Sequence, residues 1–143
     1  MSDGSYTPKK ALEQIWGYLE ELHSKKEYAA ENMIRAFYQG IYGPIKLMIY
    51  AHEKGVMVSV NPVVERPEDG WGKSVRELIR TLDSQGHMVR IGQDEDGDIY
   101  VKVDLPSNEV IFGEFVNVFL SLCRISEDLL VPIWQAHAYD RMS

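Results

Sequence analysis

Residues 93–106 read "QDEDGDIYVKVDLP", four acidic side chains within five positions followed by a clean apolar alternation. The fold turns on whether the acids form a metal loop or only the turn between two strands. A twelve-residue calcium loop needs glycine at its sixth position and a bidentate glutamate at its twelfth. Counted from Asp94, those positions hold Ile99 and Leu105. Register then separates two turns. A two-residue turn at Asp96-Gly97 would set Val103, Val101 and Ile99 against Arg90, Gly92 and Asp94, mixing apolar and charged side chains on one face. A three-residue loop, Glu95-Asp96-Gly97 with Gly97 left-handed in a bulge, pairs Val103 with Val89 and Val101 with Ile91. The second register predicts a hairpin with its acids at a solvated tip, no metal and no cofactor.

Upstream, Ser74 and Glu77 have the spacing of a capping box, and Val75, Leu78, Ile79 and Leu82 supply one face of a helix that Gly86 is placed to end. Residues 61–73, "NPVVERPEDGWGK", with two prolines and two glycines, read as a loop of about a dozen residues. Residues 43–62, "GPIKLMIYAHEKGVMVSVNP", read as a second hairpin, with Ile45, Leu47 and Ile49 opposite Val60, Val58 and Val56 around a short loop at His52 and Glu53. Residues 28–40 stay open between two states: Ala29, Met33, Phe37 and Ile41 fit a helix, while Met33 to Tyr38 fit an irregular strand. Before them, Thr7 is a plausible N-cap with Pro8 at the first helical position, and Leu12, Ile15, Trp16, Leu19 and Leu22 recur at helical spacing. Residues 1–6 read as a flexible lead.

Downstream of Pro106, Ser107 is placed to cap a helix in which Ile111, Phe115, Val118, Phe119 and Leu122 make one stripe. Val110, Phe112, Val116, Leu120 and Cys123 widen that stripe over most of the circumference. A helix so apolar needs cover on more than one side. Ser126, Glu127 and Asp128 read as a fresh helix start, with Ile133 and Trp134 in the final amphipathic turns around Pro132. The expected architecture is one α+β domain over residues 1–143, an antiparallel β-sheet of hairpins packed against N-terminal, middle and C-terminal helices.

Composition narrows the functional classes. With 45% apolar and 26% charged residues the chain belongs with globular proteins rather than disordered ones. Fifteen basic against 22 acidic residues, a formal charge of −7, lack the footprint of a phosphate-backbone binder, so no nucleic acid is expected. Cys123 is the only cysteine, which excludes an internal disulfide and any four-cysteine metal site and suits a cytoplasmic location. No run approaches the roughly 18 apolar residues of a membrane span.

Reaction chemistry finds little support. His23, His52, His87 and His137 lie in different elements without zinc-site spacing, and solvated or capping roles are expected of them. Cys123, flanked by Val116, Phe119 and Leu120, has an apolar setting that raises a thiol pKa and suppresses its nucleophilicity. No nucleophile elbow, P-loop or dinucleotide fingerprint occurs, so no enzyme is expected. Two surface features remain. Trp71 sits in a polar loop and is either an interaction anchor or a staple folded back on the next helix. The excess apolar face of helix 107–124 is either doubly covered core or an interface. Trp71, Phe112, Val116, Leu120, Ile133 and Trp134 are therefore the candidates for protein binding or for a homodimer interface.

"IKLMIYAHEKGVMVSVNPVV" at 45–64, "VRELIRTLDSQGHMVRIGQDEDGDIYVKVDLP" at 75–106 and the helix from Ser107 together resemble the YbjN-like family, which belongs with the type III secretion chaperone-like fold. The resemblance spans roughly residues 8–125 and rests on hydrophobic pattern. It implies a small non-enzymatic protein, often dimeric, that binds another polypeptide as a chaperone or regulatory adaptor. The competing expectation is a regulatory, sensory domain that binds a small ligand between sheet and helix.

Overall fold

The computed structural model describes residues 5–85 and 88–142. Its elements run α1 (Pro8–Glu21), β1 (Lys25–Ala30), β2 (Met33–Gly40), β3 (Gly43–His52), β4 (Gly55–Val64), α2 (Lys73–Gln85), β5 (Arg90–Gln93), β6 (Ile99–Pro106), a single 3-10 turn at Ser107–Glu109, and α3 (Phe112–Met142). The fold is α+β: six strands in the order β1-β2-β3-β4-β6-β5, every neighbouring pair antiparallel, with three helices. Alternate residues of the strands supply the core. Ile34 and Ala36, Leu47 and Ile49, Val58 and Val60, and Val101 and Val103 are all buried beneath α1 and α3.

Local chemistry sets α1. The Thr7 side chain accepts a hydrogen bond from Lys10 N at 3.1 Å, and Pro8 opens the helix. Of the predicted stripe, Leu12, Ile15 and Leu19 are buried, while Trp16 and Leu22 are half-buried against the core. Tyr6, which the sequence places in the lead, packs against the core and donates its hydroxyl to Gly55 O at 2.6 Å. Gly86, placed to end α2, and His87 lie outside the described residues.

The open segment resolves as two strands, β1 and β2. Lys26 and Tyr28 face inward toward α1, where Tyr28 stacks on Trp16 at 4.7 Å between ring centroids and the Lys26 ammonium sits 4.7 Å over the same indole. That sandwich rewards a period of two, which the helical spacing of Ala29, Met33 and Phe37 conceals. The β3–β4 register differs from expectation by two residues: Ile49 faces Val58 and Ala51 faces Val56, because the turn is only Glu53-Lys54 between His52 and Gly55. His52 Nδ1 accepts from Lys54 N at 3.2 Å and closes it. A two-residue slip preserves which face each side chain occupies, so the apolar pattern cannot detect it.

β4 also runs further than its prolines suggest. It continues to Val64, with residues 61–63 bulged opposite Tyr100, so the connection to α2 spans only 65–72. A bulge is where a sheet admits proline. The β5–β6 hairpin has the predicted three-residue register, with Ile91 opposite Val101 and Gly97 at φ +85°. Its ladder begins at Arg90, leaving Val89 packed on the core from just outside the strand.

α3 departs most from expectation. It starts at Phe112 rather than Ser107 and continues through both Ser126 and Pro132 for 31 residues. Ser126 starts no new helix; its buried hydroxyl donates to Leu122 O at 2.7 Å. The stripe of Phe115, Val118, Phe119, Leu122, Cys123, Leu129 and Ile133 is unbroken, and its burial outweighs the local stop signals. The far end of α3 then caps α2. Asp140 accepts from Ser74 N at 3.1 and 3.0 Å and from Val75 N at 3.3 Å, so the cap comes from 66 residues away instead of from Ser74 and Glu77. A side chain on Gly72 would collide with the Asp140 carboxylate.

Candidate docking surface

The six residues singled out from sequence separate into two groups. Trp71 is 8% exposed; its indole N–H donates to Gly97 O at 2.8 Å, which ties the loop before α2 to the β5–β6 turn. The ring folds inward, but onto the β5–β6 turn and the Trp134 and His137 rings of α3 rather than onto the next helix as a staple would. Ile133 is fully buried in the core, so it too faces the interior rather than a partner. Phe112, Leu120 and Trp134 are exposed and Val116 is half-buried, all on α3. Phe112 lies apart, edge-on to Tyr18 of α1 at 5.4 Å.

Leu120 and Trp134 belong to a groove whose second wall the sequence did not announce. The β2–β3 turn carries Ile41 and Tyr42 at its tip, 84% and 65% exposed, and leans toward α3. Glu127 of α3 holds it there by accepting a hydrogen bond from Ile41 N. Between turn and helix runs an open groove of about 550 Å³, lined by Tyr38, Ile41, Tyr42, Leu120, Arg124, Val131 and their neighbours. It passes into a strongly apolar hollow of about 460 Å³ bounded by Tyr42, Leu130, Val131 and Trp134. Tyr38 closes the inner end with its ring edge-to-face on Phe119 at 6.1 Å. The signal that could have found this wall is "GIYG" at 40–43, two bulky apolar residues on a turn between glycines.

Charge enters the groove at one place. Arg124 is exposed on α3 and makes no ion pair among the described residues, while Glu127 and Asp128 lie one turn on. Beneath them Cys123 is buried, and desolvation, reinforced by the charge of Glu127, pushes its thiol up to about 12. It is a protonated, packed thiol at neutral pH, as its apolar neighbours in sequence foretold.

Elsewhere Asp69, His137, Asp140 and Arg141 line a cleft of about 320 Å³ beside Trp71. His137 departs from the solvated or capping role expected of it: it is buried, edge-on to Trp71 at 5.3 Å and to Trp134 at 5.5 Å, with Nδ1 unpaired among the described residues. Hydrogen bonds from the Ser74 hydroxyl and from the Ser74 and Val75 N–H groups hold the nearby Asp140 carboxyl below its ordinary range. Asp94, Asp96 and Asp98 bring carboxylate oxygens within 4.8 Å of one another at the β5–β6 turn. Turn hydrogen bonds place two of the three, Asp94 and Asp98. Asp94 Oδ1 accepts from Asp96 N at 2.9 Å and Asp98 N at 3.0 Å, and Asp98 Oδ1 accepts from Arg66 N at 2.8 Å.

Neither a family model, nor a curated protein, nor a solved structure matches this chain. Among the described residues no helix is long and apolar enough to cross a membrane.

Proposed function

We propose that this protein is a non-enzymatic protein-binding module, chaperone-like or a regulatory adaptor, that docks a polypeptide along the outer face of α3 against the β2–β3 turn. The observation that carries the reading is the groove, where Ile41, Tyr42, Leu120, Val131 and Trp134 hold large apolar side chains in solvent on both sides of one channel. Contiguous apolar surface of this kind, rimmed by charge, marks interaction sites on folded proteins. Aromatic side chains there provide contact area at low entropic cost. The α+β order of helix, strands, helix, hairpin, helix supports the resemblance to YbjN-like and type III secretion chaperone-like proteins, and the lone buried thiol suits a reducing, cytoplasmic setting.

A photo-crosslinking side chain at Val131, inside the groove, tests the reading against the same group at Arg80 on the exposed face of α2. Polypeptide adducts identified by mass spectrometry at Val131 and not at Arg80 are expected in extracts of cells that produce the protein. Equal labelling at both positions, or none, overturns it.

A further inference from the structure

The outer face of α3 has a pattern that names its occupant. Its positions follow at alternating intervals of four and three: Gly113, Asn117, Leu120, Arg124, then Glu127, Val131, Trp134, Ala138. Glu127 is half-buried and the others are exposed. That spacing is the seam of a helix pair, the 3.5-residue period that lets two helices stay in contact along their length. The seam is symmetric in position about a point between Ile125 and Ser126, and its central pairs are complementary. Reversed onto itself, it sets Leu120 against Val131, Arg124 against Glu127, Asn117 against Trp134, and Gly113 against Ala138. At the centre apolar meets apolar and cation meets anion; farther out Asn117 meets the Trp134 ring and Gly113 meets Ala138. A heterologous partner requires no such symmetry.

We infer that the groove is occupied by a second copy of this chain, with the two α3 helices antiparallel across a two-fold axis near Ile125 and Ser126. This rests on the docking reading above and supplies its partner. Arg124, without an ion pair among the described residues, finds the partner's carboxylate in the assembled pair. Glu127 commits Oε2 to Ile41 N and keeps Oε1 for that contact. Two-fold pairing buries the same patch twice, the commonest way soluble chains associate. Ile41 and Tyr42 of each copy then flank the paired helices.

Light scattering on the intact chain reads the assembly directly, since one chain is 16.4 kDa. Twice that mass at tens of micromolar is expected; the mass of one chain overturns the inference. Orientation is read with Leu120→Cys and Val131→Cys together in a Cys123→Ala background, the fold checked by circular dichroism. Within one helix these positions are eleven residues apart, about 16 Å along the axis, too far for a disulfide. A disulfide-linked dimer from the double variant supports the antiparallel pair, and its absence in a folded protein overturns it. Leu120→Cys alone should form none, because like positions lie far apart across the axis; a dimer from it would show a parallel pair instead. Arg124→Glu sets like charges at the centre and should raise the dimer dissociation constant about tenfold at low salt. The crosslinker at Val131 separates the two claims. Adducts with a different polypeptide on a monomeric chain keep the docking reading and overturn the second copy, whereas a monomer without adducts overturns both.

Discussion

α3 carries two stripes at the same 3-4 spacing, and they are built differently. The inner stripe, from Phe115 through Phe119, Leu122 and Leu129 to Ile133, is apolar, and Ser126, a polar member, has its hydroxyl bonded to Leu122 O. The outer stripe interrupts Leu120 and Val131 with Arg124 and Glu127. The covered stripe answers Ser126 from within, because a buried group left unpaired costs more than its bond returns, and only farther along the covered side does His137 keep Nδ1 unpaired among the described residues. The outer stripe instead keeps an unanswered charge among exposed apolar side chains, the composition of a surface that meets its complement later.

The contrast is most easily broken by adjacent residues. Phe119→Ala, which empties a fully buried site, is expected to cost about 3–5 kcal/mol of unfolding free energy. Leu120→Ala, one position on, should cost about 0.5 kcal/mol or less in the monomer. Urea unfolding at concentrations that dissociate any pair measures both, and equal losses would place Leu120 in the core.

The two tryptophans sharpen the comparison at smaller scale. Trp71 and Trp134 lie 6.0 Å apart between ring centroids, yet Trp134 is 46% exposed and Trp71 is interior. Trp71→Phe removes the N–H that satisfies Gly97 O and should lose about 1 kcal/mol. Trp134→Phe should leave the monomer's melting temperature unchanged. A larger shift from Trp134 would make its indole part of the interior.

The smallest effect concerns the end of α3, where the inner face reaches over to cap α2. Asp140 is held below its ordinary 3.8 by hydrogen bonds from Ser74 and Val75, so folding favours its charged form. The stabilisation from that ionised cap is complete above the unfolded value and is lost as pH falls through the lower folded value. Asn at 140 keeps an acceptor but does not titrate. The melting-temperature gap between wild type and Asp140→Asn should be present at pH 7 and close below pH 4; a gap independent of pH would show that the carboxylate charge contributes nothing.

Much of the scaffold was legible because it is local. Thr7 and Pro8 specify the start of α1 through their own dihedral and hydrogen-bonding preferences. Gly97 fixes the β5–β6 register because the apolar alternation of Ile99, Val101 and Val103 fits only one turn length. The setting of Cys123 followed from neighbours one helical turn away. Of the candidate surface, Leu120 and Trp134 could be read as excess apolar area on a helix. Ile41 and Tyr42 could not be assigned to it while the strand state of β2 stayed open.

The amino-acid sequence by itself determined the fold class, the helical period of α1 and α2, the β period of the two hairpins, the β5–β6 turn and the apolar excess of α3, because each depends on residues a few positions apart. Tertiary structure alone decided the rest. Lys26 and Tyr28 are strand residues because the Trp16 indole lies over them; Asp140 caps a helix that begins 67 residues earlier; Trp71 is buried because Gly97 O waits for its N–H. In each case a partner distant in the chain supplies the deciding hydrogen bond or ring face, and local preferences of a few tenths of a kcal/mol per residue yield to it.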